Sequence, residues 1–240
     1  MKYYSWLIRI AKINEICDMC SGIFRFSLPE RWINGDKGIS DSDEGIYKKI
    51  NGKSFRRGNI LKLPTICFYG IESKEDEFDI PTEYFSDFSK NTNEYAFIII
   101  EANSFYCELI KYFNIEYNSK MIPRKGIEYV DKNSNFESKY DYPWELFYKN
   151  TTYSYQNEFR FILNFDQKSN EYVFLEKNLY KVKLNMCNIQ YDTFKIPEEN
   201  EIIHVKKDNK RIEIFTIEVR KDDIKWVIIQ IKTSLKCLCY

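Results

Sequence analysis

A row of polar side chains in the second half of the chain has residue types and a spacing suited to chemistry. If Tyr153–Leu163 forms a strand, then Gln156, Glu158 and Arg160 project from one face, because side chains alternate between the two faces of a strand. On that face, Glu158 could bind a ribose hydroxyl or take a proton, while Gln156 orients the acceptor group. Glu158 and Gln156 are therefore the candidate catalytic residues. The opposite face is apolar and is predicted to face the core through Phe159, Phe161, Leu163 and Phe165.

The neighbours of this row suggest that it is more than an ordinary ion pair. Tyr153 and Tyr155 precede it and Trp144 lies upstream, so we predict that the row lines a partly enclosed cleft. The alternative is an ion pair on a wet sheet face, which is typically worth under about 1 kcal/mol. Residue spacing leaves both interpretations open.

A second candidate lies in the predicted strand Ile23–Ser27. Arg25 shares a face with Ser27, and an arginine flanked by aromatic residues suits bidentate binding of a phosphate or a carboxylate. Its structural alternative is pairing with Glu158. We expect the carboxylate of Glu158 and the guanidinium groups of Arg25 and Arg160 to converge in one recess.

The composition excludes several classes of function. The chain has 240 residues, with 36 basic and 36 acidic side chains, so no overall field attracts nucleic acid or an anionic membrane. Nucleic acid is therefore not expected as the main partner, and the longest apolar runs are too short to span a bilayer. The absence of a secretory segment and the odd number of cysteines, 7, predict a cytoplasmic protein with reduced thiols. A local basic cluster could grip a phosphate or could be a solvated loop; it comprises Lys53, Arg56, Arg57 and Lys62.

No metal site is predicted. The loop Trp32–Gly45 is rich in carboxylates but fails the calcium-hand pattern, and a lid or substrate loop suits it better. The lone histidine, His204, has no second histidine to support a catalytic pair. Four cysteines could in principle bind zinc, although their placement on a predicted helix and at the end of the chain is unlike a zinc knuckle; they are Cys17, Cys20, Cys237 and Cys239.

The pattern of elements predicts one α+β domain over residues 1–240, with a mixed, largely antiparallel sheet and helices concentrated in the N-terminal half. Residues 164–240 are expected to be a strand-rich extension of that sheet, including a hairpin over 202–219. Helices are predicted over Lys2–Cys20, Pro81–Lys90 and Phe105–Phe113, and strands over Ile23–Ser27, Thr65–Tyr69, Tyr95–Ala102 and Gly126–Val130.

Several segments, in order, resemble an uncharacterised bacterial domain family allied to abortive phage-resistance proteins of the AbiGi type. The resemblance covers residues 24–163. Glu158 and Arg160 match the family motif Glu-x-Glu-aromatic-Arg, with Gln156 in place of its first glutamate; Lys149 lies in the lysine-containing approach, and Glu44 ends the Asn-Asp…Glu loop. The segments that carry the resemblance are Ile23–Gly45, Thr65–Glu72, Glu83–Glu101, Lys125–Val130 and Phe147–Leu163.

The resemblance implies a phage-defence or toxin–antitoxin protein, and two functions remain open. In the first, the region around Glu158 and Arg160 binds a ligand or a partner protein from the same operon, with no cofactor. In the second, the chain is an NAD-dependent enzyme, because a Gln-x-Glu sequence leading into a strand resembles the ribose-binding motif of ADP-ribosyltransferases. The expected ligand-binding residues are Arg25, Ser27, Arg160, Tyr155, Lys149 and Glu44.

Overall fold

The computed structural model describes residues 4–33, 42–72, 77–80, 82–85, 88, 93–115, 121–131, 135–139, 142–164, 175–176, 179–197, 201–208, 211–218 and 227–231. The α-helices are α1 (Ile13–Cys20), α2 (Glu30–Ile33) and α3 (Ala102–Tyr112). The strands are β1 (Trp6–Lys12), β2 (Ile23–Ser27), β3 (Ile46–Ile50), β4 (Lys53–Arg56), β5 (Thr65–Ile71), β6 (Glu77–Ile80), β7 (Tyr95–Glu101), β8 (Arg124–Gly126), β9 (Glu128–Val130), β10 (Phe136–Glu137), β11 (Tyr148–Asn150), β12 (Glu158–Ile162), β13 (Leu175–Glu176), β14 (Leu179–Lys183), β15 (Tyr191–Lys195), β16 (Glu201–Asp208), β17 (Arg211–Glu218) and β18 (Val227–Ile231).

The chain has an α+β fold with mostly antiparallel strand pairing, as the sequence predicts. Its contacts group the residues into two compact units: residues 1–22, 70–106 and 185–240 form the first, and residues 23–69 and 107–184 form the second. The expectation of one domain stays a prediction. None of the helices among the described residues is long and apolar enough to cross a membrane.

The first unit is built around β7. Both β1 and β15 pair with it in antiparallel fashion, and its residues from Ala96 to Ile100 are buried. This burial agrees with the apolar run that predicts a central strand. The strands β16 and β17 form the predicted hairpin, and they make a separate four-stranded sheet with β6 and β18. The C-terminal strands therefore extend one sheet only in part.

The predicted helix over Lys2–Cys20 is wrong in its first half. Trp6–Lys12 is a strand, and the helix begins at Ile13. Short apolar runs fit helical and extended patterns equally well, and full pairing of this run with β7 decides in favour of the strand. The helix predicted over Pro81–Lys90 is wrong for Thr82–Phe85, which form a short 3-10 turn. Most of the remaining residues of this segment lie outside the described residues.

The second unit positions the candidate residues. Its strands run in the order β13, β14, β2 and β5, and β12 lies between β5 and β8. In the β12–β5 pair, Arg160 lies opposite Cys67 and Ile162 lies opposite Thr65. A small sheet of β10, β3 and β4 and a parallel pair of β9 and β11 complete the unit.

Candidate functional site

The candidate motif straddles a turn and a strand. A 3-10 turn over Thr151–Gln156 precedes β12, and the side chain of Asn150 caps the turn by accepting a hydrogen bond from the Thr152 amide at 3.1 Å. Asn157 then adopts a left-handed conformation with φ of 36°, which asparagine tolerates better than most residues. The predicted strand from Tyr153 is therefore wrong at its start, because β12 begins at Glu158. Glu158 and Arg160 share a face of β12, whereas Gln156 belongs to the turn.

Arg160 is the centre of a buried ion-pair network. Its Nε donates to Glu158 Oε1 at 2.5 Å. Its Nη1 and Nη2 donate to Glu44 Oε1 and Oε2 at 2.5 and 3.0 Å, a bidentate pair. Nη1 also donates to the carbonyl oxygen of Leu146 at 2.5 Å. The side chains of Arg160 and Glu44 are each 1% exposed, so this guanidinium is held entirely by the protein.

Lys149 connects the network to the turn. Its Nζ donates to Glu158 Oε2 at 2.8 Å and to Gln156 Oε1 at 2.6 Å. The side chains of Lys149 and Glu158 are each 9% exposed. The turn and strand therefore bring Gln156 and Glu158 together on one ammonium group, although the two residues do not share a strand face.

The charges of the network balance. Glu44 and Glu158 supply two negative charges, and Lys149 and Arg160 supply two positive charges. Burial raises the pKa of the Glu158 carboxyl, but the positive charges of Arg160 and Lys149 outweigh burial and hold this pKa well below its usual range. Burial likewise lowers the pKa of Arg160 and Lys149, and the neighbouring carboxylates more than reverse this effect.

Three further residues surround Glu158. The Tyr129 hydroxyl accepts a hydrogen bond from the Glu158 amide at 2.9 Å, and the Ile127 amide donates to the Glu158 carbonyl at 2.7 Å. The Cys67 thiol, opposite Arg160 on β5, hydrogen-bonds the carboxylate. Burial and then the charge of Glu158 raise the pKa of this thiol well above its usual value, so Cys67 acts as a neutral donor rather than as a nucleophile.

Aromatic rings cover the two cations. The Arg160 guanidinium lies 5.1 Å from the ring centre of Trp32, and the Lys149 ammonium lies 5.0 Å from that of Tyr153. Both distances are within the range of cation–π attraction. Tyr153 thus lies beside the network, whereas Trp144 packs on Phe147 at 5.3 Å in the core of the second unit. The partly enclosed cleft stays a prediction.

The remaining predicted residues are Tyr155, Arg25 and Ser27. Tyr155 is 51% exposed, and its hydroxyl accepts a bond from Gln156 Nε2 at 3.4 Å. Ser27 and Ile162 both lie opposite Thr65, so Arg25 and Ser27 share a sheet face with Glu158 and Arg160. Arg25 is half-buried on β2 and lies opposite Lys181 of β14. Its convergence with Glu158 in one recess stays a prediction.

A second buried carboxylate lies next in sequence to the network. Glu145 is fully buried, and its Oε1 pairs with Arg57 Nε at 3.2 Å. Arg57 also lies 4.7 Å from the ring centre of Tyr47. Glu145 directly precedes Leu146, whose carbonyl accepts a hydrogen bond from Arg160, so the same short segment binds both arginines.

The geometry limits the chemistry of Glu158. Each carboxylate oxygen already accepts a bond from a cation, and the lowered pKa keeps the group ionised. Glu158 can accept a further hydrogen bond, for example from a hydroxyl, but it is a poor proton acceptor or donor near neutral pH. The network therefore suits positioning and recognition better than acid–base catalysis.

The other predictions concern metal ions, the cysteines and His204. Among the described residues, no three His, Cys, Asp or Glu side chains form a group that could hold a metal ion. Cys17 and Cys20 both lie on α1 and are half-buried, whereas Cys237, Cys239 and the Asn34–Asp36 stretch lie outside the described residues. In the first unit, His204 Nδ1 forms a hydrogen bond with Asp79 Oδ1 at 2.8 Å.

Residue spacing missed several members of the network. Cys67 becomes a neighbour of Arg160 through the pairing of β5 with β12. Tyr129 lies opposite Lys149 in the β9–β11 pair, and the Leu146 carbonyl belongs to the 3-10 turn Trp144–Phe147. Glu44 lies 116 positions from Arg160, and only the family resemblance pointed to it. Arg160 itself was an indication that a partner such as Glu44 exists, because an arginine buried in a strand requires carboxylate partners.

Comparison with known proteins adds no relatives: no family model, curated protein or solved structure matches this chain significantly. The resemblance to the AbiGi-allied family stays a prediction.

Proposed function

We propose that this protein is a phage-defence or toxin–antitoxin module that binds a ligand or a partner protein at the outer edge of the ion-pair network. The contact surface consists of Tyr155, Gln156 and Tyr153, supported from beneath by Lys149 and Glu158. The observation that carries the proposal is the pair of hydrogen bonds that Lys149 Nζ donates to Gln156 and Glu158. These bonds fix the side-chain amide of Gln156 beside Tyr155, which is 51% exposed. The defence context rests on the family resemblance alone.

Binding suits this surface for two physical reasons. Tyrosine supplies a large contact area at a low cost in conformational entropy and is enriched among residues that dominate binding energy. The network beneath the surface is neutral in sum and keeps its side chains in place, so little ordering is needed when a partner docks.

The test is a binding experiment with matched surface variants. The tagged full-length chain is co-expressed with the proteins encoded beside it, and complexes are isolated by size-exclusion chromatography. We expect a stoichiometric partner whose affinity falls by about tenfold or more in Tyr155→Ala or Gln156→Ala. Phe55→Ala is the control, because Phe55 is also exposed, at 42%, but lies on β4. Absence of a complex, or equal losses in all three variants, contradicts the proposal.

One observation favours the NAD-dependent alternative. Gln156 ends a turn and Glu158 begins a strand, which is the arrangement expected of a ribose-binding Gln-x-Glu motif. In that function Glu158 accepts a hydrogen bond from a ribose hydroxyl of NAD and Gln156 positions the acceptor. Arg160 and Lys149 already donate to the two carboxylate oxygens of Glu158, so they compete with a ribose hydroxyl for this carboxylate.

Labelled NAD separates the alternatives. The chain is incubated with labelled NAD and a cell lysate, and transfer of label to protein is measured. The enzyme hypothesis requires transfer that disappears in Glu158→Gln and persists in Glu137→Gln, a control at a glutamate that is 65% exposed. No transfer and no binding of NAD by the wild-type protein contradict it.

A further inference from the structure

The charge of the chain is zero in total but is unevenly spread along the sequence. From Ile46 to Ile71 every charged residue is basic: Lys48, Lys49, Lys53, Arg56, Arg57 and Lys62. Four of these residues form the basic cluster that the sequence allows either to bind a phosphate or to lie in a solvated loop: Lys53, Arg56, Arg57 and Lys62. The structure places Lys53 and Arg56 on β4, the second strand of a regular hairpin with β3.

Part of this charge is neutralised by carboxylates and part of it is not. Within the described part of the chain, the ion pairs are Lys48–Glu137 at 3.0 Å, Lys49–Asp43 at 3.5 Å and Arg57–Glu145 at 3.2 Å. Arg56 instead donates to the main-chain carbonyls of Ser42 and Glu44. Carbonyl dipoles fix its guanidinium without cancelling its charge. Lys53 and Lys62 are exposed, so the hairpin and the turn after it keep an excess of positive charge.

The register of the hairpin places apolar and basic side chains on one outward face. Lys48 lies opposite Phe55, and Ile50 lies opposite Lys53, so these four side chains share a face. Glu137 of β10 lies opposite Lys48 on the same face and pairs with it at 3.0 Å, so Lys53 is the basic residue of these four that keeps its charge. Phe55 is 42% exposed and Ile50 is 39% exposed. On the other face of this small sheet, Phe136 of β10 packs edge-on against Tyr148 at 5.7 Å.

The turn of the hairpin gives this face a fixed shape. Asn51 and Gly52 both have positive φ, at 48° and 77°, the conformation of a tight two-residue hairpin turn. A side chain built at Gly52 would meet nothing within 4 Å. The tip is therefore open, and a flexible chain can lie along the face without a steric barrier from this turn.

We propose that the outward face of the β3–β4 hairpin binds a single-stranded polynucleotide. Phe55 offers an exposed ring on which a base can stack, and Lys53 on the same face meets the phosphate backbone. Arg56 follows Phe55 on β4 and adds positive charge. Alternation of aromatic and basic residues on an exposed strand suits single strands, whose bases have free faces. A duplex has no free base face for Phe55.

This proposal concerns a different surface from the one around Tyr155 and does not depend on it. It also agrees with the zero net charge, because counterion release depends on the local phosphate contacts rather than on the total charge of the protein.

The test measures fluorescence anisotropy of labelled single-stranded RNA and DNA oligomers of about ten nucleotides with the full-length chain. We expect binding that weakens as salt rises above about 50 mM. Phe55→Ala should lower affinity about tenfold for either oligomer. Lys53→Glu should lower it and also flatten the salt dependence. Met121→Ala, at a residue 39% exposed, and Lys12→Glu, at the end of β1, are controls that should bind as wild type does.

Further measurements keep the result unambiguous. Phe55→Trp should retain binding, and its fluorescence should be quenched when a base stacks on the indole ring. Urea denaturation checks that each variant is folded. The proposal is overturned by absence of binding at about 50 mM salt, by Phe55→Ala binding as wild type does, or by equal affinity for a duplex. Phe55-dependent binding to phosphatidylserine vesicles without oligomer binding would assign the face to a membrane and also overturn it. Phe55→Ala should leave the Tyr155-dependent complex intact, so the two proposals can fail separately.

Discussion

Arg160 satisfies two buried carboxylates at once, and this sets the cost of losing it. Arg160→Met keeps an unbranched side chain but leaves Glu44 and Glu158 without their shared guanidinium. Removing one partner of a buried ion pair costs about 3–5 kcal/mol, because the remaining charge stays desolvated. We expect the free energy of unfolding to fall by that amount, as measured by urea denaturation.

A surface ion pair provides the comparison for Arg160. Lys48 and Glu137 pair at 3.0 Å with side chains 30% and 65% exposed, so Lys48→Met should cost under about 1 kcal/mol. Equal costs at the two positions would mean that the network around Arg160 is reached by solvent.

Protonation of Glu158 should make the stability of the protein fall at acidic pH. The folded-state pKa of Glu158 lies well below its unfolded value, which is about 4.3. Its stabilising contribution is therefore fully present above the unfolded pKa and is lost as pH falls towards the folded one. The stability advantage of wild type over Glu158→Gln should narrow as the pH falls from about 5 to about 3. Denaturation curves across this range measure it, and Glu137→Gln should show a much smaller change. A wild-type advantage that does not change with pH would contradict the lowered pKa of Glu158.

Only part of the network could be predicted from residue types. Glu158 and Arg160 are found from strand alternation, because it places residues two positions apart on one face. Gln156 was placed on the same strand wrongly, since the left-handed Asn157 begins a new conformation. Cys67 and Tyr129 depend on the pairing of distant strands, which residue spacing does not reveal.

At the scale of elements, the sequence predicts isolated strands better than it predicts the ends of helices. The apolar run of β7 and the hairpin of β16 and β17 were both predicted, because burial and turn chemistry mark them locally. Trp6–Lys12 was predicted as helix, yet this short apolar run pairs along its whole length with β7. Tertiary pairing overrides local periodicity in such runs.

The turn before β3 holds Glu44 in place, and a pair of glycines can test it. Gly45 and Gly52 both have positive φ, so Ala at either position carries about 1–2 kcal/mol of backbone strain. At Gly45 an added Cβ would also lie 3.2 Å from Leu61 Cδ2 and 3.3 Å from Ile60 Cγ2, and such overpacking adds about 1–3 kcal/mol. Gly45→Ala should therefore destabilise the protein more than Gly52→Ala does in urea denaturation. Equal losses would show that the contacts of Gly45 relax freely.

At the scale of the whole molecule, the sequence predicts the α+β class and the antiparallel pairing correctly. The division into two compact units is not visible in the sequence. Each unit is assembled from separate segments of the chain, so no linker or change in composition marks a boundary between them.

The balance of charges over the whole chain should govern its solubility. With 36 acidic and 36 basic side chains and a sequence pI of about 6.6, repulsion between copies is weakest near that pH. We expect a solubility minimum there in a polyethylene glycol precipitation assay. Replacing Lys53 and Lys62 by Glu changes the charge by −2 at each position, −4 in total, and should move the minimum to lower pH. The charge-preserving replacement of both by Arg should leave it in place. If the Glu variant keeps the wild-type minimum, association is governed by apolar contacts such as those offered by Phe55 and Ile50, and not by net charge.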